Sequence, residues 1–309
     1  MSKDLLRIID CSEDFCRRVI ALGGEMKARR RDPSLGKPLD GLAVVTIYEK
    51  PSTRTKVSFE VGIRELGAQV VELTKSGSQM SRGETPADTA HTLERYADAI
   101  VYRAFSHDSV AAIAEHARIP VVNALTDLYH PCQILADLLT VQEHCGGLDV
   151  PITFIGNGSN IVHSLLGAAA KLGLNLTIGT PASAAPKDEI VREAVALASE
   201  TGGTIKLTND PVEAVTGARI VYTDVWFDMG KDDEETIAKR TAEYAGFQVN
   251  SELLSKADPQ AQVMHCLPAQ RGREATDDAL DGPQSIIFDQ AENRLHAQKA
   301  ILTVLLGKD

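Results

Sequence analysis

The sequence predicts an α/β protein built from two doubly wound, parallel-sheet domains joined by long helices. Short β-branched apolar runs alternate with longer amphipathic stretches along the whole chain. Polar and charged residues suited to holding a ligand sit directly after several of those runs, where open α/β sheets bind their ligands. The chain has 309 residues, 43% apolar and 24% charged, which suits two domains that each build a core.

In the first half, Leu42 to Tyr48, Ala99 to Tyr102 and Pro120 to Asn123 read as buried strands. Phe59, Ile63 and Leu66 recur at helical spacing between them, and Gly67 stands where a helix would end. Thr85 before Pro86 and Asp88 reads as a helix start. Ile134, Leu135, Leu138 and Leu139 mark a helix after His130-Pro131. The pattern then repeats. Ile152 to Ile155, Leu174 to Ile178, Thr204 to Leu207, Arg219 to Tyr222 and Gln262 to Met264 are strand candidates, with helical stretches between most of them. A long helix stops at Cys145-Gly146-Gly147, which sets the expected domains at residues 1–145 and 146–290, followed by a last helix within 291–309, from about Ala291 to Leu306.

Composition excludes several classes of function. Net charge is −11 and there is no long Lys/Arg tract, so a nucleic-acid partner is not expected; Lys27 to Arg31 reads as a solvated helix end. No run of about 18 apolar residues suggests a membrane span, and the start lacks a secretory pattern. Five scattered cysteines, with no C-x-x-C pair and no Cys/His zinc spacing, fit a reducing cytoplasmic compartment and predict no structural metal.

Five loops carry chemistry. Glu49-Lys50-Pro51-Ser52-Thr53-Arg54-Thr55 follows a strand and opens a helix, where backbone N–H groups and the helix dipole favour an anion such as phosphate. Arg54 could add a bidentate contact, although a plain Ser52 N-cap beside an exposed arginine reads equally well. The spacing is not that of a nucleoside triphosphate loop. Arg103, closing a strand, is either a second anion clamp or a surface arginine. His130 and Gln133 lie three apart at the start of a helix and can face one site, where they could hydrogen-bond a carbonyl or its oxyanion; a capping or core histidine is the alternative. His265-Cys266-Leu267-Pro268 follows a strand, but sequence neighbours there are no evidence for a Cys–His nucleophile. Gly156-Asn157-Gly158-Ser159-Asn160 is half of a dinucleotide loop and lacks the third glycine.

Taken together, these loops resemble the aspartate/ornithine carbamoyltransferase family over essentially the whole chain, in the right order. Ser52-Thr53-Arg54-Thr55 resembles the family's carbamoyl-phosphate loop and His130-Pro131-x-Gln133 its second hallmark. Cys132 and His265-Cys266-Leu267-Pro268 are similar to the ornithine branch; the aspartate branch has Thr and His-Pro-Leu-Pro there. The resemblance implies transfer of a carbamoyl group from carbamoyl phosphate to ornithine, giving citrulline for arginine synthesis, or to another amine such as putrescine. It implies phosphate held by Ser52, Thr53, Arg54 and Thr55 with Arg103, and a carbamoyl oxygen polarised by His130, Gln133 and Thr55. Cys266 and Leu267 would sit near the carbamoyl nitrogen and the amine, partly through backbone carbonyls. Arg294, in a C-terminal helix packing back on the first domain, would reach the first ligand, and Gln79 would be lent to a neighbouring subunit. A trimer, or a multiple of trimers, with shared active sites and neither metal nor organic cofactor is implied.

The amine half departs from the pattern. Asp224 to Gly230 resembles the ornithine branch's closing loop, with Asp224 and Met229 in place and Asp228 where Ser is usual. Asn157 stands for the usual Asp and Ser159 for the first of an Asn pair, while Asn160 matches the residue expected on the amino-acid backbone. Asp228 would either strengthen an ammonium contact or repel the α-carboxylate, by about 3 kcal/mol at ~5 Å and an effective dielectric near 20. Turned outward, it would do neither.

Overall fold

The expected β–α alternation is present in the computed structural model, which describes residues 3–227, 238 and 241–308. Asp228 and Met229 lie outside the described residues. The chain divides into two compact units, residues 1–140 with 292–309, and residues 141–291.

The first unit holds a four-stranded parallel sheet in the order β2-β1-β3-β4. Its strands are β1 (Ala43–Tyr48), β2 (Gln69–Thr74), β3 (Ala99–Arg103) and β4 (Val121–Leu125). Helices α1 (Glu13–Ala28), α2 (Thr53–Glu65), α3 (Pro86–Leu93) and α4 (His107–His116) surround it in sequence. β1, β3 and β4 are covered on both faces, and so read as continuous apolar runs. β2, an edge strand with Gln69 and Glu72 exposed, has no such run and is an addition to the strands read from sequence. Lys27 and Arg30, expected on a solvated helix end, are instead tied down: Lys27 donates to Asn293 at 2.9 Å and Arg30 to Glu65 at 2.8 Å.

The second unit holds a five-stranded parallel sheet in the order β7-β6-β5-β8-β9. Its strands are β5 (Pro151–Ile155), β6 (Asn175–Gly179), β7 (Thr204–Thr208), β8 (Ile220–Thr223) and β9 (Gln262–His265). α5 (Pro131–Cys145) carries the chain from one unit to the other; α6 (Asn160–Leu172) and α7 (Asp188–Thr201) follow β5 and β6. α8 (Ile287–Leu305) starts a turn earlier than the expected Ala291, because Ile287 and Gln290 are already buried there. No helix among the described residues is long and apolar enough to cross a membrane.

Both strand orders reverse direction once. In the first sheet the reversal lies between β1 and β3, and in the second between β5 and β8. Successive crossovers leave on opposite faces at such a point, and the loops part to form a crevice at the strands' carboxyl ends. The loops beginning at Glu49 and Ala104 flank the first crevice; those beginning at Gly156 and Asp224 flank the second.

Candidate active site

At the first crevice, Ser52 is the N-cap of α2, its hydroxyl accepting from Thr55 N at 3.2 Å. The capping reading is met, and it is compatible with the anion loop, because a helix start still has further N–H groups without intrahelical partners. Thr53 is exposed and Thr55 buried on the first turn. The Thr55 hydroxyl accepts from Arg103 Nη1 at 3.2 Å and from Arg294 Nη2 at 3.3 Å. Arg294 Nη1 also donates to the Gln133 side-chain oxygen, while Gln133 Nε2 donates to Asp137 Oδ1 at 2.8 Å.

The structure thus gathers Thr55, Arg103, Gln133 and Arg294 into one hydrogen-bonded chain. Asp137, one helical turn beyond Gln133, is a member that the sequence reading did not include. Arg54 is near enough for its charge, with those of Arg103 and Arg294, to act on His130. Burial first, and these three charges second, hold His130 well below the ordinary histidine range, so the ring is neutral. Burial and the charges of Arg294 and Arg54 bring Arg103 down to about 10. Two guanidinium groups about 6 Å apart at an effective dielectric near 20 repel by about 3 kcal/mol, so such a cluster favours an anionic ligand. The thiol of Cys132 is buried and pushed up to about 12, which leaves it a packing group rather than a nucleophile. Gln79 lies exposed in a short 3-10 turn, and no described hydrogen bond brings its side chain to this cluster.

Glu49, at the end of β1, ties the floor of the crevice together. Its carboxylate accepts from Tyr102 Oη at 2.8 Å and Phe105 N at 2.9 Å, and pairs with Lys75 at 2.9 Å. Those bonds outweigh its burial and hold its carboxyl below the usual range. Arg103 sits between two of these anchor points, so Glu49 fixes the strand end that presents it.

In the second unit, Asp224 follows β8 and Cys266 follows β9. Asp224 is hydrogen-bonded to the Cys266 thiol and accepts from Val225 N at 2.8 Å; burial is the largest influence on it and raises its carboxyl. Oxygen, nitrogen and sulfur atoms of Asp224, His265 and Cys266 all lie within 4.8 Å of one another. The His265 ring is already engaged, however: Nδ1 accepts from Leu267 N at 2.8 Å, and Nε2 is 3.1 Å from Glu274. No lone pair remains on it for a metal or for the Cys266 thiol, so a Cys–His nucleophile is not assembled. Asn160 is the first residue of α6, beside the loop after β5. In that loop a side chain at Gly158 would meet backbone atoms of residues 184–186 at 2.3–2.7 Å, so this glycine serves close chain packing.

A family model for the carbamoyl-P binding domain of aspartate/ornithine carbamoyltransferase matches residues 3–143, and one for the family's Asp/Orn binding domain matches residues 148–305. The chain belongs to the aspartate/ornithine carbamoyltransferase family.

Among carbamoyltransferases, the ornithine carbamoyltransferase of Acidothermus cellulolyticus is 51% identical over 90% of this chain and 89% of its own length. That of Bacillus subtilis is 45% identical over 99% and 94%. The structure of ornithine carbamoyltransferase from Pyrococcus furiosus matches with a TM-score of 0.94 at 42% identity, covering 98% of this chain and 97% of that one. Arg54, Arg103, His130 and Gln133 fall in the carbamoyl-P binding match, whereas Asn160, Asp224 and Cys266 fall in the Asp/Orn binding match.

Proposed function

We propose that this protein is an ornithine carbamoyltransferase, converting carbamoyl phosphate and L-ornithine to L-citrulline and phosphate in the direction of arginine synthesis. The observation that carries the reading is the convergence of Arg54, Arg103 and Arg294 around Thr55 and His130 at the capped start of α2. A dianionic phosphate next to a carbonyl suits this arrangement. Ser52, Thr53, Arg54, Thr55 and Arg103 would hold the phosphate, with Gln79 supplied by a neighbouring subunit. Thr55, His130, Gln133 and Arg294 would face the carbamoyl group. Asn160, Asp224, Asp228 and Met229 would hold the amino acid, with Cys266 and Leu267 near the reacting nitrogen.

An alkyl ammonium has a pKa of about 10.4, so about one molecule in a thousand is neutral near pH 7.5, a cost of about 4 kcal/mol. The neutral amine attacks the carbonyl carbon, and the tetrahedral oxyanion forms beside Arg54, Thr55 and His130. The C–O bond to phosphate then breaks, and the departing phosphate takes the amine's proton. A neutral His130 can donate a hydrogen bond without binding the phosphate as a charge. Alignment of the two substrates supplies much of the rest, an effect worth about 7–11 kcal/mol in favourable cases.

The names of the relatives support ornithine as acceptor. Asp228 in place of the usual serine favours a second reading, a carbamoyltransferase for a diamine such as putrescine. Product formation with carbamoyl phosphate and ornithine, putrescine, N-acetylornithine or aspartate separates them. Preference for ornithine supports the first reading and preference for putrescine the second; no turnover with any amine sinks both. A trimer with shared sites belongs to the same proposal, and sedimentation equilibrium at three times the chain mass is the expected result. Five free thiols fit a cytoplasmic setting.

A further inference from the structure

We infer that His265 and Glu274 are positioning residues that lock the peptide between Cys266 and Leu267, so that the Cys266 carbonyl faces the reacting nitrogen. This rests on the function proposed above, which brings Cys266 and Leu267 to that nitrogen.

Neither side chain is exposed at all. Because His265 Nδ1 accepts the Leu267 N–H, the ring's proton sits on Nε2 and is donated to the Glu274 carboxylate. A single tautomer is therefore enforced. The same carboxylate oxygen accepts Gln270 N, and the backbone N–H of His265 is donated to Gln290 Oε1 at 2.8 Å. One buried carboxylate thus grips this loop at two points, through the ring at its start and through the backbone five residues later.

What the grip holds is an unusual backbone. Leu267 has φ = 58°, a region that a leucine occupies at a cost of about 1–3 kcal/mol unless its surroundings over-determine it. The Leu267 N–H to His265 bond fixes the peptide plane on one side of that torsion. It also has a directional result. In the planar peptide unit joining Cys266 to Leu267, the C=O points opposite to the N–H. An N–H turned inward to the ring sends the Cys266 carbonyl outward, as an acceptor for an N–H of the carbamoyl group or the incoming amine. In His-Cys-Leu-Pro, the histidine then acts on the backbone of its neighbours rather than on the cysteine thiol.

The two nitrogens of histidine can be replaced one at a time. His265→Asn puts an amide oxygen near the place of Nδ1 and keeps an acceptor for Leu267 N–H. His265→Gln reaches the place of Nε2, keeps the donor to Glu274 and loses that acceptor. With both substrates saturating, His265→Gln is expected to lower kcat about a hundredfold, the effect of a reacting group misplaced by about 1 Å. Carbamoyl phosphate affinity, measured by calorimetry, stays within about threefold, since its phosphate ligands lie in the other unit. His265→Asn recovers kcat to within about tenfold of wild type. Glu274→Asp withdraws the carboxylate by one methylene and lowers kcat in the same selective way; it serves as the test should His265→Gln fail to fold. Wild-type kcat in either His265→Gln or Glu274→Asp overturns the inference, as does an equal loss in both His265 variants, which would make the ring only a packing group. Absence of citrulline formation by the wild-type protein would count against the proposed function instead.

Discussion

At the scale of single residues, the site is a concentration of positive charge, with Arg54, Arg103 and Arg294 all acting on His130. The Arg103→Leu variant tests this directly. It removes a charge-assisted contact worth about 1.5–3 kcal/mol, so carbamoyl phosphate should bind at least tenfold more weakly by calorimetry. The same variant without ligand should melt no lower than wild type, because it also removes repulsion from Arg54 and Arg294. A lower melting temperature would show that Arg103 is chiefly structural. His130 gives a pH test. Its folded value lies well below the ordinary ~6.5, so below that pH the unfolded chain binds a proton that the folded site refuses. Stability must fall as pH falls from about 6.5, and His130→Gln should melt with a shallower dependence between pH 7 and 5 than wild type. Equal slopes would remove His130 from the account. Most of these residues were legible because they cluster in sequence just after strands. Asp137 was not picked out, although it stands four residues past Gln133 on the same helix. Glu274 had no such signal: it stands nine positions past His265, with irregular loop between, and no periodicity links them.

At the scale of elements, buried apolar runs mark β1, β3, β4, β5 and β8, whereas β7 was legible from its alternation of Thr204, Ile205, Lys206 and Leu207 although it is an exposed edge strand. β2 escaped because its exposed edge position permits Gln69 and Glu72. The glycine loop after β5 shows the opposite failure, a pattern with several meanings in sequence and one in space. Gly158 packs against the backbone of residues 184–186, so Gly158→Ala should displace the start of α6 and Asn160 with it. The expected result is an ornithine KM raised at least tenfold, with carbamoyl phosphate affinity unchanged, since a side chain forced against backbone costs about 1–3 kcal/mol. An unaltered KM would mean that this loop does not position the amine.

At the scale of the whole molecule, a chain of net charge −11 concentrates cations where an anion is expected to bind. Long-range attraction is therefore small, and affinity has to come from short contacts in the crevice. Carbamoyl phosphate at a hundred times its dissociation constant should stabilise the protein by about 2.7 kcal/mol. Each unit has a sheet and core of its own, so the gain should appear in the transition of the first unit if the two melt separately. Hydrogen exchange should slow at the ends of β1 and β3 and the start of α5. Ligand protection confined instead to the loops after β5 and β8 would contradict the assignment of the phosphate to the first unit.

The Thr55 hydroxyl, which accepts from Arg103 and from Arg294, has one further consequence. A hydroxyl has two lone pairs and one proton. With both pairs committed to guanidinium donors, Thr55 can only donate. The oxygen and the NH2 of a carbamoyl group are nearly the same size, and shape alone distinguishes them poorly. A group that can only donate accepts the oxygen and refuses the NH2, so in the proposed complex the two arginines would make Thr55 a reader of which way round the planar group lies.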